Sequence, residues 1–262
     1  MKGEVSVLTV PKRGDKDTDN KDACWPVRHT GVTGPIVRLA MADGVAEASL
    51  SADWARAIVT AFGTWAPARA VREPTAFGQV LRPFTEGWNA SLRGYVEREE
   101  SRRDLPYYEK DKLREGAATT VLAVYLLDDG SWHAAALGDT CVFQIDDKYR
   151  RRAAFPLADP ASFNSTPGMI RSLDDDWGRV LGRSEATTGR WERGERFFLA
   201  SDALSLWLLR EERAGRDPWR RLDEAVDAGA ESPPLFRQWA DGQRETRSMR
   251  NDDVSVIRLL LR

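Results

Sequence analysis

The stretch FFLASDALSL, residues 197–206, places one carboxylate at the end of an apolar run. Uninterrupted apolar residues at 197–200 are typical of a strand that is buried on both faces. Leu204 and Leu206 carry the apolar character into a following helix, and Asp202 lies between the two. Because a rigid scaffold positions functional groups where its strands end, this stretch predicts a buried strand that presents an acid.

The pattern on either side of this strand predicts an α+β fold. A DDG sequence at 128–130 indicates a hairpin, and Ser51 is a candidate N-cap for the helix that follows it. The order of elements has no regular βαβ alternation, which favours antiparallel sheets in one domain spanning residues 1–262. The predicted strands are 4–10, 23–28, 36–42, 117–127, 197–200 and 254–261, and the predicted helices are 51–65, 85–102, 202–212 and 218–230.

The composition excludes several classes of protein. A formal net charge of -2 argues against a protein that binds the nucleic-acid backbone. Two cysteines beside strand-like runs argue for a reducing compartment, and no window is apolar enough to span a membrane. We therefore expect a cytoplasmic protein with no nucleic-acid or membrane partner. Only two histidines are present, neither in a ligand-like spacing, so we expect carboxylates to carry any chemistry.

Four acids share one context, at the ends of predicted strands. Asp22 and Asp252 precede strands, whereas Asp43 and Asp202 follow them. Any one of them could be an ordinary cap or turn residue. Together, however, they predict an all-oxygen site for magnesium or manganese, because carboxylates that share a site need a cation between them.

The order of the motifs resembles a known family. DNKDA, MADGVAEAS, GAATTVLAVYL with AALGDTCVFQI, LASDALSLWLL and RNDDVSVIRLL follow one another along nearly the whole chain. This series resembles the metal-dependent protein serine/threonine phosphatases of type 2C, in particular a bacterial branch. The resemblance implies a four-layer sandwich of two antiparallel sheets flanked by helices. It also implies two manganese or magnesium ions, a phosphorylated protein as substrate and a serine/threonine kinase as a further partner.

The resemblance assigns roles to individual positions. Asp43 would bridge both ions, and the carbonyl of Gly44 would bind the second ion. Asp202 and Asp252 would complete the first ion's ligands. Asp22 would orient the attacking water from outside the ligand shell.

Two departures from the family pattern concern the second ion and the phosphate. Lys21 stands where the family has a glutamate ligand of the second ion, so Asp17 or Asp19 compensates, or Lys21 turns outward, or the second site is weak. Asp17 stands where some members carry a phosphate-binding arginine, which leaves the phosphate-binding residue unassigned. Two main hypotheses follow, a phosphatase that hydrolyses phosphoserine and phosphothreonine and a catalytically weakened module that binds a phosphoprotein or a kinase. A β-sandwich with incidental acids is the third.

Overall fold

The computed structural model describes residues 1–45, 50–102, 116–164, 166–173 and 176–262. The strands are β1 (Lys2–Val10), β2 (Ala23–Trp25), β3 (Thr30–Thr33), β4 (Ile36–Ala42), β5 (Ala118–Thr119), β6 (Val121–Leu127), β7 (Ser131–Leu137), β8 (Cys141–Ile145), β9 (Arg151–Phe155), β10 (Ile170–Arg171), β11 (Glu185–Arg190), β12 (Arg196–Ala200) and β13 (Val254–Leu261). The helices are α1 (Ser51–Thr64), α2 (Pro74–Arg102), α3 (Trp177–Arg183), α4 (Asp202–Arg213), α5 (Pro218–Glu231) and α6 (Pro233–Glu245).

These strands form two antiparallel sheets. The first has the order β3-β1-β13-β12-β8-β9 and the second the order β11-β7-β6-β4-β2, while β5 and β10 form a short separate ladder. Side chains of one face of each sheet meet in an inner core, where Phe197 and Leu199 of β12 lie in the same cluster as Leu122 and Val124 of β6. The sheets therefore pack face to face as a sandwich.

Helices cover the outer face of each sheet. Since side chains alternate along a strand, Phe198 of β12 points away from the inner core and packs with Trp207 of α4. Ala123 of β6 likewise packs with Trp54 of α1. Helices α4, α5 and α6 thus cover the first sheet, and α1 and α2 cover the second. The predicted four-layer α+β sandwich is confirmed, and the run at 197–200 is buried on both faces.

Several local predictions were wrong. The spacer HTGVTG at 29–34 predicted turns, but residues 30–33 form strand β3, and α6, which begins with two prolines, was not among the predicted helices. Proline is tolerated in the first turn of a helix, where its missing N–H costs nothing. Ser51 is not the N-cap: Leu50 takes that position with φ 62°, and the Ser51 hydroxyl accepts a hydrogen bond from the Ala118 N–H at 3.3 Å.

The prediction of a single domain stays a prediction. Within the described residues, none of the helices combines the length and the apolar composition that a bilayer crossing requires.

Candidate functional site

Asp22 and Asp43 become neighbours through the pairing of two strands. In the register of β2 with β4, Ala23 lies opposite Ala42. Asp22 immediately precedes Ala23 and Asp43 immediately follows Ala42, so the two acids extend the ladder at the same end. Two residues 21 positions apart in the sequence therefore meet at one edge of the second sheet.

The first sheet presents three further acids at its own strand ends. Ala200, the last residue of β12, pairs with Cys141 of β8 on one side and with Val256 of β13 on the other. These registers place Asp202 beside Asp139, which precedes β8, and close to the turn that leads into β13. Asp252 lies in that turn. We refer to Asp22, Asp43, Asp139, Asp202 and Asp252 as the acid cluster.

Threonine hydroxyls fix Asp43 and link the two sheets. The Asp43 N–H donates to the Thr120 hydroxyl at 3.1 Å, and the Thr120 N–H donates to the Asp43 carbonyl at 2.9 Å. The Thr119 hydroxyl donates to the same carbonyl at 2.7 Å. The Thr120 hydroxyl also lies 2.9 Å from that of Thr140, next to Asp139. The ends of the two sheets that carry the acids are therefore joined directly.

Hydrogen bonds also fix the turn before β13. The carboxylate of Asp253 accepts hydrogen bonds from the backbone N–H groups of Lys12 and Lys21, each at 2.9 Å. The buried guanidinium of Arg244 donates to the Asp252 carbonyl at 2.6 Å. Asp253 is thus occupied with the backbone, which leaves the Asp252 side chain as the acid that this turn contributes.

Glycine is required at two positions around the cluster. A Cβ on Gly44 would lie 2.8 Å from the backbone carbonyl oxygen of Lys21, closer than real Cβ contacts. Gly138 has φ +121°, and a Cβ there would lie 2.6 Å from Thr120. These close approaches bring the segments that carry Asp43 and Asp139 against their neighbours.

The carboxylate of Asp22 is buried without compensation. Neither of its oxygens has a hydrogen-bond partner, and both are shielded from solvent. Burial raises the pKa of Asp22 to about 8; the nearby Ser255 hydroxyl offsets part of this rise, and the charges of Asp253, Asp202 and Asp252 add to it. An ionised carboxylate in this position calls for a positive charge.

The pKa values of Asp43, Asp139 and Asp202 are shifted in the same direction. Burial, reinforced by Asp22 and Asp202, raises the pKa of Asp43 well above its ordinary value. Burial raises the pKa of Asp139 to about 7 and that of Asp202 to about 6, against the lowering effect of backbone hydrogen bonds and of Arg250. These acids are therefore close enough to disfavour one another's ionisation.

The donor set fits a hard divalent cation, although the side chains do not enclose one. In the described part of the chain, no three Asp, Glu, His or Cys side chains are arranged so that they could hold an ion as they stand. The unpartnered oxygens of Asp22 and the carboxylates around it are nevertheless the ligand type that magnesium and manganese prefer. The sequence-based assignment of Asp22, Asp43, Gly44, Asp202 and Asp252 to ion binding and catalysis stays a prediction.

The two acids expected to compensate for Lys21 are engaged elsewhere. Asp17 forms an ion pair with Arg237 of α6, and Asp19 accepts a hydrogen bond from the Lys16 N–H at 3.1 Å. Lys21 is half-buried, and its ammonium forms no ion pair with any residue that the structure describes. Both acids therefore have other partners, while the half-buried Lys21 stands next to Asp22 in the chain.

Sequence reasoning missed Asp139 as a member of the cluster. Its position in LGDTC predicted a structural acid that ties a turn, and its own backbone does lower its pKa in part. However, its side chain is buried and faces Asp202. The available signal was its position in the short turn between β7 and β8, the same strand-end context as the other four acids.

A polar cavity of about 400 Å³ adjoins this cluster. Asp139 and Gly138 form part of its wall, together with Ser162, Asn164 and Arg183. The acid cluster thus borders a space large enough for part of a ligand.

Comparison with known proteins places the chain in a family. A family model described as protein phosphatase 2C matches residues 12–240. Comparison with curated protein sequences gives no match.

Three solved structures with the same fold are similar to this chain. The catalytic domain of the serine/threonine protein phosphatase PstP in complex with two manganese ions has 14% identity, a TM-score of 0.52 and coverage of 100% of this chain and 99% of that chain. PstP/Ppp of Mycobacterium tuberculosis has 13% identity, a TM-score of 0.55 and coverage of 100% and 99%. RsbX in complex with magnesium has 13% identity, a TM-score of 0.51 and coverage of 99% and 96%.

The match to the family model covers well over half of the chain. The chain belongs to the protein phosphatase 2C family.

Proposed function

We propose that this protein is a metal-dependent serine/threonine phosphatase that hydrolyses phosphoserine and phosphothreonine in protein substrates. The observation that carries the proposal is the acid cluster itself. Asp22 and Asp43 are buried in a common site with three further acids, and the Asp22 oxygens have no partner. Such an arrangement is costly for folding, and a bound cation would relieve that cost.

Manganese or magnesium would be held by the side chains of Asp43, Asp202 and Asp252 and by the carbonyl of Gly44. Such an ion supplies Lewis acidity toward a phosphoester and toward water. Asp22 would orient the attacking water through its unpartnered oxygens and hold the proton that the water loses. Its burial raises its proton affinity, which suits that role.

The protein substrate would approach over the rim of the cluster. The cavity beside Asp139 is bordered by hydroxyl, amide and guanidinium groups, which suits a polar segment of polypeptide next to the phosphorylated residue. A serine/threonine kinase as partner and a cytoplasmic location remain predictions from the family resemblance and the composition.

Turnover and ion binding test this proposal. The purified protein is assayed with p-nitrophenyl phosphate and with a phosphothreonine peptide, with and without manganese. We expect manganese-dependent hydrolysis that Asp43→Asn and Asp202→Asn reduce by at least about a hundredfold, because each removes a ligand. Asp147→Asn, at an exposed position outside the cluster, is the matched control. Equal activity in wild type and in both cluster variants would contradict the proposal.

Lys21 favours the second candidate, a catalytically weakened member that binds a phosphoprotein. Lys21 immediately precedes Asp22 in the chain, and a positive charge in place of the family's glutamate ligand disfavours a second cation there. If this candidate holds, the wild type binds a phosphothreonine peptide without turnover, and Lys21→Glu raises both the number of manganese ions bound in calorimetry and the hydrolysis rate. Manganese-dependent turnover by the wild type at saturating metal would refute it.

A further inference from the structure

One arginine lies at the rim of the acid cluster. Nη1 of Arg250 is 3.9 Å from Oδ2 of Asp202. Among the described residues, it is the one arginine with a side-chain nitrogen within 4 Å of a carboxylate oxygen of the cluster. Its charge also reaches Asp139, whose pKa it lowers.

The Arg250 guanidinium lies close to Asp202 but forms no hydrogen bond with it. A separation of 3.9 Å is too long for a hydrogen bond, and the guanidinium donates none to the residues that the structure describes. The side chain is 47% exposed, so its planar set of N–H donors is open to an incoming group.

The charge balance of the cluster calls for such a group. Each carboxylate of the cluster that stays ionised repels a phosphate dianion. A guanidinium at the rim of the cluster offsets part of this repulsion along one line of approach. Arginine is also well suited to phosphate, because two parallel N–H groups can bind two oxygens at once.

The loop that follows β1 offers no comparable arginine. Arg13 forms an ion pair with Glu245 at 3.1 Å, and Asp17 is paired with Arg237. The backbone of this loop is held to the turn before β13, since the Arg13 N–H donates to the Asn251 side chain at 2.7 Å. The Arg13 side chain is thus directed toward Glu245 at the end of α6.

We propose that Arg250 anchors the phosphoryl oxygens of the substrate, so that the turn between α6 and β13 supplies the phosphate-binding group. This inference rests on the proposed function, since it concerns the same site. It assigns to that turn two roles, an acid for the cation at Asp252 and a cation for the phosphate at Arg250.

Calorimetry with inorganic phosphate tests the inference on the manganese-loaded protein. We expect Arg250→Ala to weaken phosphate binding roughly tenfold to a hundredfold, the usual cost of losing a charge-assisted pair of hydrogen bonds. Arg250→Lys should bind phosphate with an affinity between those of the wild type and Arg250→Ala. Lysine keeps the positive charge but lacks the two parallel N–H donors of arginine. Arg247→Ala removes the same charge from an exposed position in the same turn and should bind phosphate like the wild type.

Manganese affinity provides a second readout of opposite sign. Loss of the positive charge beside Asp202 should leave manganese binding unchanged or tighten it, while phosphate binding weakens. A merely structural role for Arg250 would weaken both and lower the unfolding midpoint. The inference is overturned if Arg250→Ala binds phosphate within about twofold of the wild type, if Arg247→Ala shows the same loss, or if the wild type binds no phosphate.

Failure of this inference is distinguishable from failure of the proposed function. A wild type that binds phosphate through Arg250 without hydrolysing phosphoesters supports the inference and refutes the phosphatase. Manganese-dependent hydrolysis that is lost in Asp43→Asn and has an unchanged KM in Arg250→Ala supports the phosphatase and refutes the inference.

Discussion

The buried acid at position 22 leads to a prediction about the stability of the metal-free protein. Asp22 has an ordinary pKa of 3.8, which burial and its neighbours raise to about 8 in the folded chain. Between these values the folded protein keeps a proton on Asp22 that the unfolded chain has released. The contribution of Asp22 to stability is therefore greatest below the lower value, falls steadily as the pH rises between the two values, and levels off above the upper one.

The size of the effect follows from the proton count. One proton that is bound only in the folded state changes the free energy of unfolding by about 1.4 kcal/mol per pH unit. From pH 5 to pH 7, Asp22 alone therefore removes up to about 3 kcal/mol. Asp43, Asp139 and Asp202 have raised pKa values as well, so the wild type should lose more than this.

Asp22→Asn isolates the contribution of Asp22. The asparagine cannot ionise, so the slope of unfolding free energy against pH should flatten by up to about 1.4 kcal/mol per pH unit, the contribution of one proton. The slope is the better observable, because an unpaired buried amide carries its own pH-independent cost of about 1–3 kcal/mol. The measurement is urea denaturation in excess chelator at several pH values from 5 to 8, with Asp147→Asn as the exposed control.

Two results would refute this reasoning. A stability of the metal-free wild type that rises or stays constant from pH 5 to 8 would mean that the acids are not buried together. An unchanged slope in Asp22→Asn would mean that another group binds the protons.

Two further predictions concern the framework of the fold. Asp223 is buried between Arg258, 2.8 Å away, and Arg196. Asp223→Ala should therefore lower the free energy of unfolding by about 3–5 kcal/mol. The control Asp227→Ala removes a carboxylate that is 66% exposed and should cost less than about 1 kcal/mol. Equal losses in urea denaturation would contradict this reasoning from burial. Gly44→Ala should reduce manganese-dependent hydrolysis and stability together because its Cβ meets a backbone carbonyl, whereas Gly242→Ala, in a helix with open space around it, should gain up to about 1 kcal/mol. A fully active and stable Gly44→Ala would show that this segment can move away without cost.

Local pattern was sufficient for an α+β fold with antiparallel sheets, whereas the four-layer sandwich was implied by the family resemblance. The apolar run at 197–200 predicted a strand buried on both faces, and such a strand requires cover on each side. The helical spacing of apolar residues in 51–65 similarly predicted a helix that covers a sheet. These inferences succeeded because side-chain alternation and helical periodicity depend only on near neighbours. Helix α6 was not predicted, although proline in the first turn of a helix is compatible with helix formation.

The sequence by itself determined that acids stand at strand ends, and it led to the expectation that carboxylates, and not the two histidines, carry the chemistry. Only the tertiary structure decided which acids meet, because that depends on the register of β2 with β4, on the pairing of β12 with its two neighbours and on the contact of Thr120 with Thr140 between the sheets. It likewise decided that Asp139 joins the cluster and that Arg250 reaches its rim. These are contacts between residues far apart in the chain, and their distances are set by how two twisted sheets pack, which no local periodicity encodes.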